Sequence, residues 1–104
     1  MSYKVRFQDQ VAGDLKDIRK YWEEELRMSP NRILNLILDK IYTLPAFPFI
    51  YQRLEEYQVL RRMVVEDYIV LYQVDEEREA IKIEYIYHGS RDIKKVLTRE
   101  PTER

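Results

Sequence analysis

YQVLRRMVVEDYIVLYQVDEEREAIKIEYIYHGSRDI, residues 57–93, decides the fold. Three runs within it, 57–65, 67–74 and 80–88, are rich in β-branched and aromatic residues, which suit a pleated and partly buried surface. Three consecutive strands predict an antiparallel meander. Glu66-Asp67 forms the first tight turn and Asp75 to Glu79 a longer charged one, although neither holds the glycine that short hairpin loops favour.

Pairing Val65 with Tyr68 and Val74 with Ala80 sorts the side chains by alternation into two faces. One carries Leu60, Arg62, Val64, Ile69, Leu71, Ile81, Ile83, Tyr85 and Tyr87. It is the more apolar and is expected beneath the helices. The other carries Val59, Arg61, Met63, Tyr68, Val70, Tyr72, Lys82, Glu84, Ile86 and His88, with Arg61 across from Tyr72 and Tyr72 across from Lys82. This mixed polar and aromatic surface is the expected binding face, with Tyr68 and Tyr72 the tyrosines expected to be exposed. A one-residue slip in the second hairpin would exchange the faces of the last strand.

Upstream, YKVRFQ (3–8) alternates like a short strand, inside the sheet or at its edge. From Val11 the period changes: Val11, Leu15, Ile18, Trp22 and Leu26 fall three or four apart on one stripe of a helix. The charged residues between them, Asp14 among them, read as a solvated face. Ser29-Pro30 restarts the chain, and Ile33, Leu34, Ile37, Leu38 and Ile41 give a second amphipathic helix that ends before Pro45. PAFPFIYQR (45–53) is a proline-interrupted loop packed by its aromatics.

The order β-α-α-β-β-β predicts an α+β fold: a helical hairpin packed on one face of a small, mainly antiparallel sheet. Its other face is left partly open. The 104 residues are expected to form a single domain over 1–104, with a short net-basic tail from about 89. A charged fraction of 36% with no long apolar run argues against a membrane protein. The N-terminus lacks the apolar run of a signal peptide and the chain has no cysteine, so the cytoplasm is the expected location. One histidine and no cysteine leave no zinc site or thiol nucleophile, and no cofactor is expected. The net charge of -1 gives no long-range attraction to nucleic acid.

His88 is the obvious candidate acid or base because it is unique, yet one histidine at a strand end is more often a hydrogen-bonded surface residue than a catalyst. Arg61 and Arg62 face opposite ways, so at most one shares a groove with His88. Asp92 is placed to cap a short helix, Ile93 to Leu97, which would leave Arg91 exposed.

The order of elements, the DLKDIRKYW helix start, the VLRRMVVEDYIVLYQV hairpin and the IYHGSRDI ending resemble the RelE/ParE superfamily of bacterial type II toxin-antitoxin toxins. The resemblance covers nearly the whole chain. It implies a small toxin, of the kind used in plasmid stabilisation, held inactive by a cognate antitoxin that wraps it. RelE-like members cleave messenger RNA on the ribosome with a basic cluster that stabilises the transition-state charge. The position of their usual catalytic arginine on the central strand is Ile69 here, and Gln58 and Leu60 stand where lysines are common. ParE-like members tend to have an apolar residue at that position, arginines in the preceding strand, as Arg61 and Arg62, and a histidine after the last, as His88. They poison DNA gyrase by binding it. The ParE-like reading is therefore preferred, with Arg61, Tyr68, Tyr72, Lys82, His88 and Arg91 as target-binding candidates. The alternatives are a ribosome-dependent endoribonuclease built on Arg61, Tyr87, His88 and Arg91, and an inactive relative that only binds antitoxin.

Overall fold

The computed structural model describes residues 2–98. The chain runs β1 (Lys4–Phe7), α1 (Asp9–Lys20), a π-helical turn (Tyr21–Glu25), α2 (Asn31–Ile41), β2 (Arg61–Val65), β3 (Tyr68–Asp75), β4 (Ala80–His88) and α3 (Ile93–Leu97). The strands form one mixed sheet in the order β1-β4-β3-β2, in which β1 lies parallel to β4 at an edge and the other pairs are antiparallel. This is the expected α+β fold. Of the net-basic tail expected from about residue 89, Gly89 to Thr98 form a turn and α3, and 99–104 lie outside the described residues. Among the described residues no helix is long and apolar enough to cross a membrane.

The first hairpin has the expected register, with Val65 paired to Tyr68 and Arg61 to Tyr72. Its glycine-free turn is possible because Glu66 takes the left-handed conformation at φ 54°. Arg32 at the start of α2 then clamps the Glu66 carboxylate with two hydrogen bonds of 3.0 and 3.1 Å, which hold that carboxyl below its usual range.

The second hairpin differs from expectation. Val74 pairs with Ile81 rather than Ala80, because Asp75 and Ala80 extend the ladder and shorten the loop. The one-residue slip is undone further on, where the register shifts again between Leu71 and Tyr72 and leaves Glu84 as the extra residue of a β-bulge. Parity is thereby restored for the end of β4, and His88 pairs with Tyr68 on the face that also carries Arg61.

The expected facing of the sheet is inverted along β2, β3 and the end of β4, whereas Ile81 and Ile83 lie beneath the helices and Lys82 on the outer face as expected, because the register slip turns that half of β4 back. Met63, Val65, Tyr68, Val70 and Tyr72 lie beneath the helices with Ile81, Ile83 and Ile86, packed on Val11, Ile18, Ile33, Ile37 and Ile41. The opposite, outer face carries Ile69, Leu71 and Tyr87, which are covered by Leu54, Leu60 and Val96. The cause is that β3 is buried on both sides, so all of Tyr68 to Tyr72 is apolar and alternation carries no facing information. Tyr68 and Tyr72, expected to be exposed, are core residues, and Tyr72 is 0% exposed.

Two further expectations are corrected along α1. Asp14, assigned to the solvated face, is 4% exposed. It faces the stretch of β4 that lies beyond the reach of the four-residue β1. There the neighbouring edge of β4 is satisfied by the start of α1 instead of by a strand: Gln8 N–H donates to the Ile83 carbonyl at 3.0 Å, Gln10 Nε2 to the bulged Glu84 carbonyl at 3.0 Å, and Asp14 Oδ2 accepts from Ile86 N–H at 2.9 Å. Leu26, expected on the apolar stripe, is 39% exposed. The π-helical turn inserts one residue into the helical repeat, marked by the Leu26 N–H bond to the Tyr21 carbonyl, and rotates Leu26 off the stripe that Trp22 still occupies.

Candidate functional site

Two depressions flank the end of β4, beside a third of about 260 Å³ at the Gly89 turn, lined by Arg62, Val64, Ile69, His88 and Gly89 among others. The larger, about 640 Å³, is a groove on the outer face between the segment 50–56 and the chain leaving β4. Val64, Ile69 and Ile50 provide its apolar surface, and Arg53, Arg62 and Arg91 stand around it with Glu55 and Glu56. The smaller, about 330 Å³, lies on the helix side between α1 and the end of β4, lined by Asp14, Asp17, Tyr21, Tyr68, His88 and Arg91 among others. Arg91 borders both, because the turn that begins at Gly89 carries it over the rim of the sheet. That turn packs tightly: Gly89 N–H bonds the Asp67 carbonyl at 2.7 Å, and a Cβ on Gly89 would come within 3.3 Å of the same oxygen.

Arg61 belongs to neither depression. Its Nη1 donates to the Tyr51 carbonyl at 2.7 Å and lies 3.4 Å from that of Phe49, with the guanidinium 5.1 Å from the centre of the Phe49 ring. Tyr72, its cross-strand neighbour, donates from its hydroxyl to the Pro48 carbonyl at 3.0 Å. The two side chains together strap the proline loop to the edge of the sheet. Burial pushes the Tyr72 phenol up to about 12.

Tyr68 accepts a 2.9 Å hydrogen bond from Trp22 Nε1 and meets the His88 ring edge to face at 5.3 Å between centroids. Burial raises its phenol, and that of Tyr87 as well, the latter opposed by the charge of Arg62. Lys82 falls on the outer face, beside Gln73 and Arg6, where its ammonium lies 4.0 Å from Asp75 and lines neither depression.

His88 is half-buried. Its Nδ1 accepts the Ser90 backbone N–H at 3.1 Å and lies 2.8 Å from Ser90 Oγ. The accepted N–H leaves Nδ1 without a proton, so the neutral ring carries its proton on Nε2 and presents a donor. Asp92 caps α3 as expected, accepting from Lys94 N–H at 3.0 Å, and Arg91 is exposed.

Of the residues singled out from sequence, then, the helix-side cleft gathers Tyr68, Tyr87, His88 and Arg91, and the outer groove gathers Tyr87 and Arg91. Arg62 and Arg53, which no candidate set contained, line the outer groove. Alternation placed Arg62 opposite Arg61, and correct facing of the sheet would have found it. Among the described residues no three of His, Asp and Glu gather closely enough to hold a metal ion.

The family described as the ParE toxin of type II toxin-antitoxin systems, parDE, matches residues 5–93. The chain belongs to this toxin family. No curated protein matches it significantly. The toxin's fold is shared with a chain of the RelBE2 toxin-antitoxin complex of Mycobacterium tuberculosis, at 23% identity and a TM-score of 0.68 over 85% of this chain and 99% of that one. It is shared equally with a chain of the chromosomal ParDE system of P. aeruginosa, at 17% identity and a TM-score of 0.68 over 83% and 95%. A chain of the intact E. coli RelBE complex gives 15% identity and a TM-score of 0.59 over 86% and 99%.

Proposed function

We propose that this toxin, a single unit over 1–104, acts in the cytoplasm by binding DNA gyrase, performs no nuclease chemistry, and is held inactive by a cognate antitoxin. The observation that carries the reading is the composition of the outer groove. Ile69, at the position where the nuclease branch needs a cation, is an apolar residue packed against Leu71 and Tyr87, and it has no group to hold a phosphate. The arginine of the preceding strand first nominated for catalysis, Arg61, is engaged with loop carbonyls. Arg91, Arg62 and the Nε2–H of His88 are the exposed donors near the two depressions and serve as target contacts. Tyr68, Tyr72 and Arg61 support them from within.

The endoribonuclease reading draws on two observations, that Tyr87, His88 and Arg91, three of its four candidates, line the helix-side cleft, and that Tyr87 and Arg91 also line the outer groove with Arg62. Against it, a phenol raised by burial stays protonated at neutral pH and so supplies no base. Purified toxin is to be assayed for gyrase supercoiling and for cleavage of ribosome-bound mRNA, with and without antitoxin. Inhibited supercoiling with intact mRNA, relieved by antitoxin, is the expected result. Cleaved mRNA with normal supercoiling overturns it, and no effect in either assay with no growth arrest leaves an antitoxin-binding relative.

A further inference from the structure

The outer groove combines features that constrain what occupies it. Val64 and Ile50 are 54% and 63% exposed, and next to them Ile69 continues the apolar strip. Around this strip stand the guanidinium groups of Arg53, Arg62 and Arg91. None of the three forms an ion pair among the described residues, where the pairs are Arg32 with Glu66 and Asp75 with Arg78 and Lys82. Set against Glu55 and Glu56, the three cations leave the lining a small positive excess, which around an apolar strip suits carboxylates flanking aliphatic side chains.

The shape of the site favours an extended segment. Residues 52–54 already run beside the first half of β2, through Arg62 N–H to the Gln52 carbonyl at 3.1 Å and Leu54 N–H to the Leu60 carbonyl at 2.9 Å. Past Val64 the groove turns across the sheet, over Ile69, which pairs with Val64, and Tyr87, which pairs with Ile69, and ends at Gly89.

A nucleic acid fits less well. A phosphate chain has no aliphatic side chains to set on Val64, Ile50 and Ile69, and Tyr87, buried beneath the strip, offers no face for stacking.

We propose that the outer groove binds an extended acidic and aliphatic segment of the protein that the toxin poisons, its aliphatic side chains on Val64, Ile50 and Ile69 and its carboxylates on Arg53, Arg62 and Arg91. This rests on the reading of the toxin as a protein-binding poison. The test uses the full chain labelled with nitrogen-15 and three probes: a capped Glu-Val-Glu-Val-Glu peptide, its Lys-for-Glu counterpart, and a single-stranded RNA hexamer. The acidic peptide is expected to shift the amides of Arg62, Val64, Ile69 and Gly89. It should bind at least tenfold more weakly to Arg62→Glu and to Arg53→Glu, both exposed positions, and should weaken with added salt. Equal binding of the two peptides, tighter binding of the RNA, or shifts confined to α1 and α2 overturns the inference. The acidic peptide should also relieve inhibition of gyrase. Peptide binding in the groove with no gyrase inhibition at all sinks the functional reading alone. Gyrase inhibition that is indifferent to the peptide and to Arg62→Glu sinks the groove inference alone, as does a peptide that competes only with antitoxin.

Discussion

The carboxylate of Asp14 on α1 accepts the backbone N–H of Ile86 on β4 at 2.9 Å, beside the bulge at Glu84. In a buried site the Ile86 amide has no water to turn to, and removing the acceptor strands it. Asp14→Ala is expected to cost about 2 kcal/mol, lowering Tm by roughly 10 °C for a domain of this size. Thermal unfolding checks the size of the effect, and hydrogen exchange checks its place, since the Ile86 amide should lose protection first.

His88 offers a separation of two roles within one ring. Asparagine places an acceptor where Nδ1 stands and keeps the Ser90 N–H bond, whereas glutamine reaches to the position of Nε2 and abandons it. His88→Asn should retain near-native Tm and lose toxicity, and His88→Gln should lose about 1 kcal/mol of stability with toxicity largely kept. Growth arrest on expression, read beside thermal unfolding, distinguishes them. Full toxicity of both variants removes His88 from the target contact.

The phenol of Tyr72 is raised from 10.0 to about 12 by burial. A group whose folded pKa lies above its unfolded value holds its proton more tightly in the native state. Its contribution is therefore complete below about pH 10 and is lost as pH rises towards 12. Stability should fall through that window, and absorbance at 295 nm should show a late phenolate step there. Tyr72→Phe should shrink that step by one phenol, leaving what the raised phenols of Tyr68 and Tyr87 contribute.

Arg27 sits just past the π-helical turn in the left-handed conformation, at φ 55°, and Met28 N–H closes the turn onto the Trp22 carbonyl at 2.9 Å. A side chain there is strained and glycine is not. Arg27→Gly is expected to stabilise by about 0.5 kcal/mol after the greater freedom of glycine in the unfolded chain is subtracted. A denaturant midpoint that moves down instead would show that the Arg27 side chain has a stabilising contact.

The outer layer should be separable from the helix-side core. Val96 is fully buried and, with Ile93 and Leu97, holds α3 against Tyr87 and Leu71. Val96→Asp should release α3 at a cost of about 2 kcal/mol and leave the sheet folded. Hydrogen exchange should show fast amides in α3 against protected ones in β3 and β4.

The sequence revealed the elements better than their facing. The strand runs, the restart at Ser29-Pro30 and the Asp92 cap were legible because each is written in neighbouring residues. The first register was legible because a two-residue turn admits few pairings. The facing of the sheet was not, since Tyr68 to Tyr72 is apolar on both sides and the cover over the outer face comes from Leu54, Leu60 and Val96, distant in sequence. Asp14 was misplaced for the same reason: its partner is a backbone amide of β4, and the need for it arises only because β1 ends at Phe7. The error passed to the site. With the sheet inverted, Arg61 was nominated and Arg62 overlooked.

The pairing of β1 with β4 joins Lys4 to Ala80 and Phe7 to Ile83, the first strand to the last. During synthesis β1 therefore waits, its edge unsatisfied, until nearly all the described fold has left the ribosome. An interrupted copy lacks the strand on which β1 pairs and, on the proposed reading, the target contacts His88 and Arg91 at its end. The proposed binding surface is thus the last part of the described fold to be completed, after every element that an antitoxin could grip earlier in the chain.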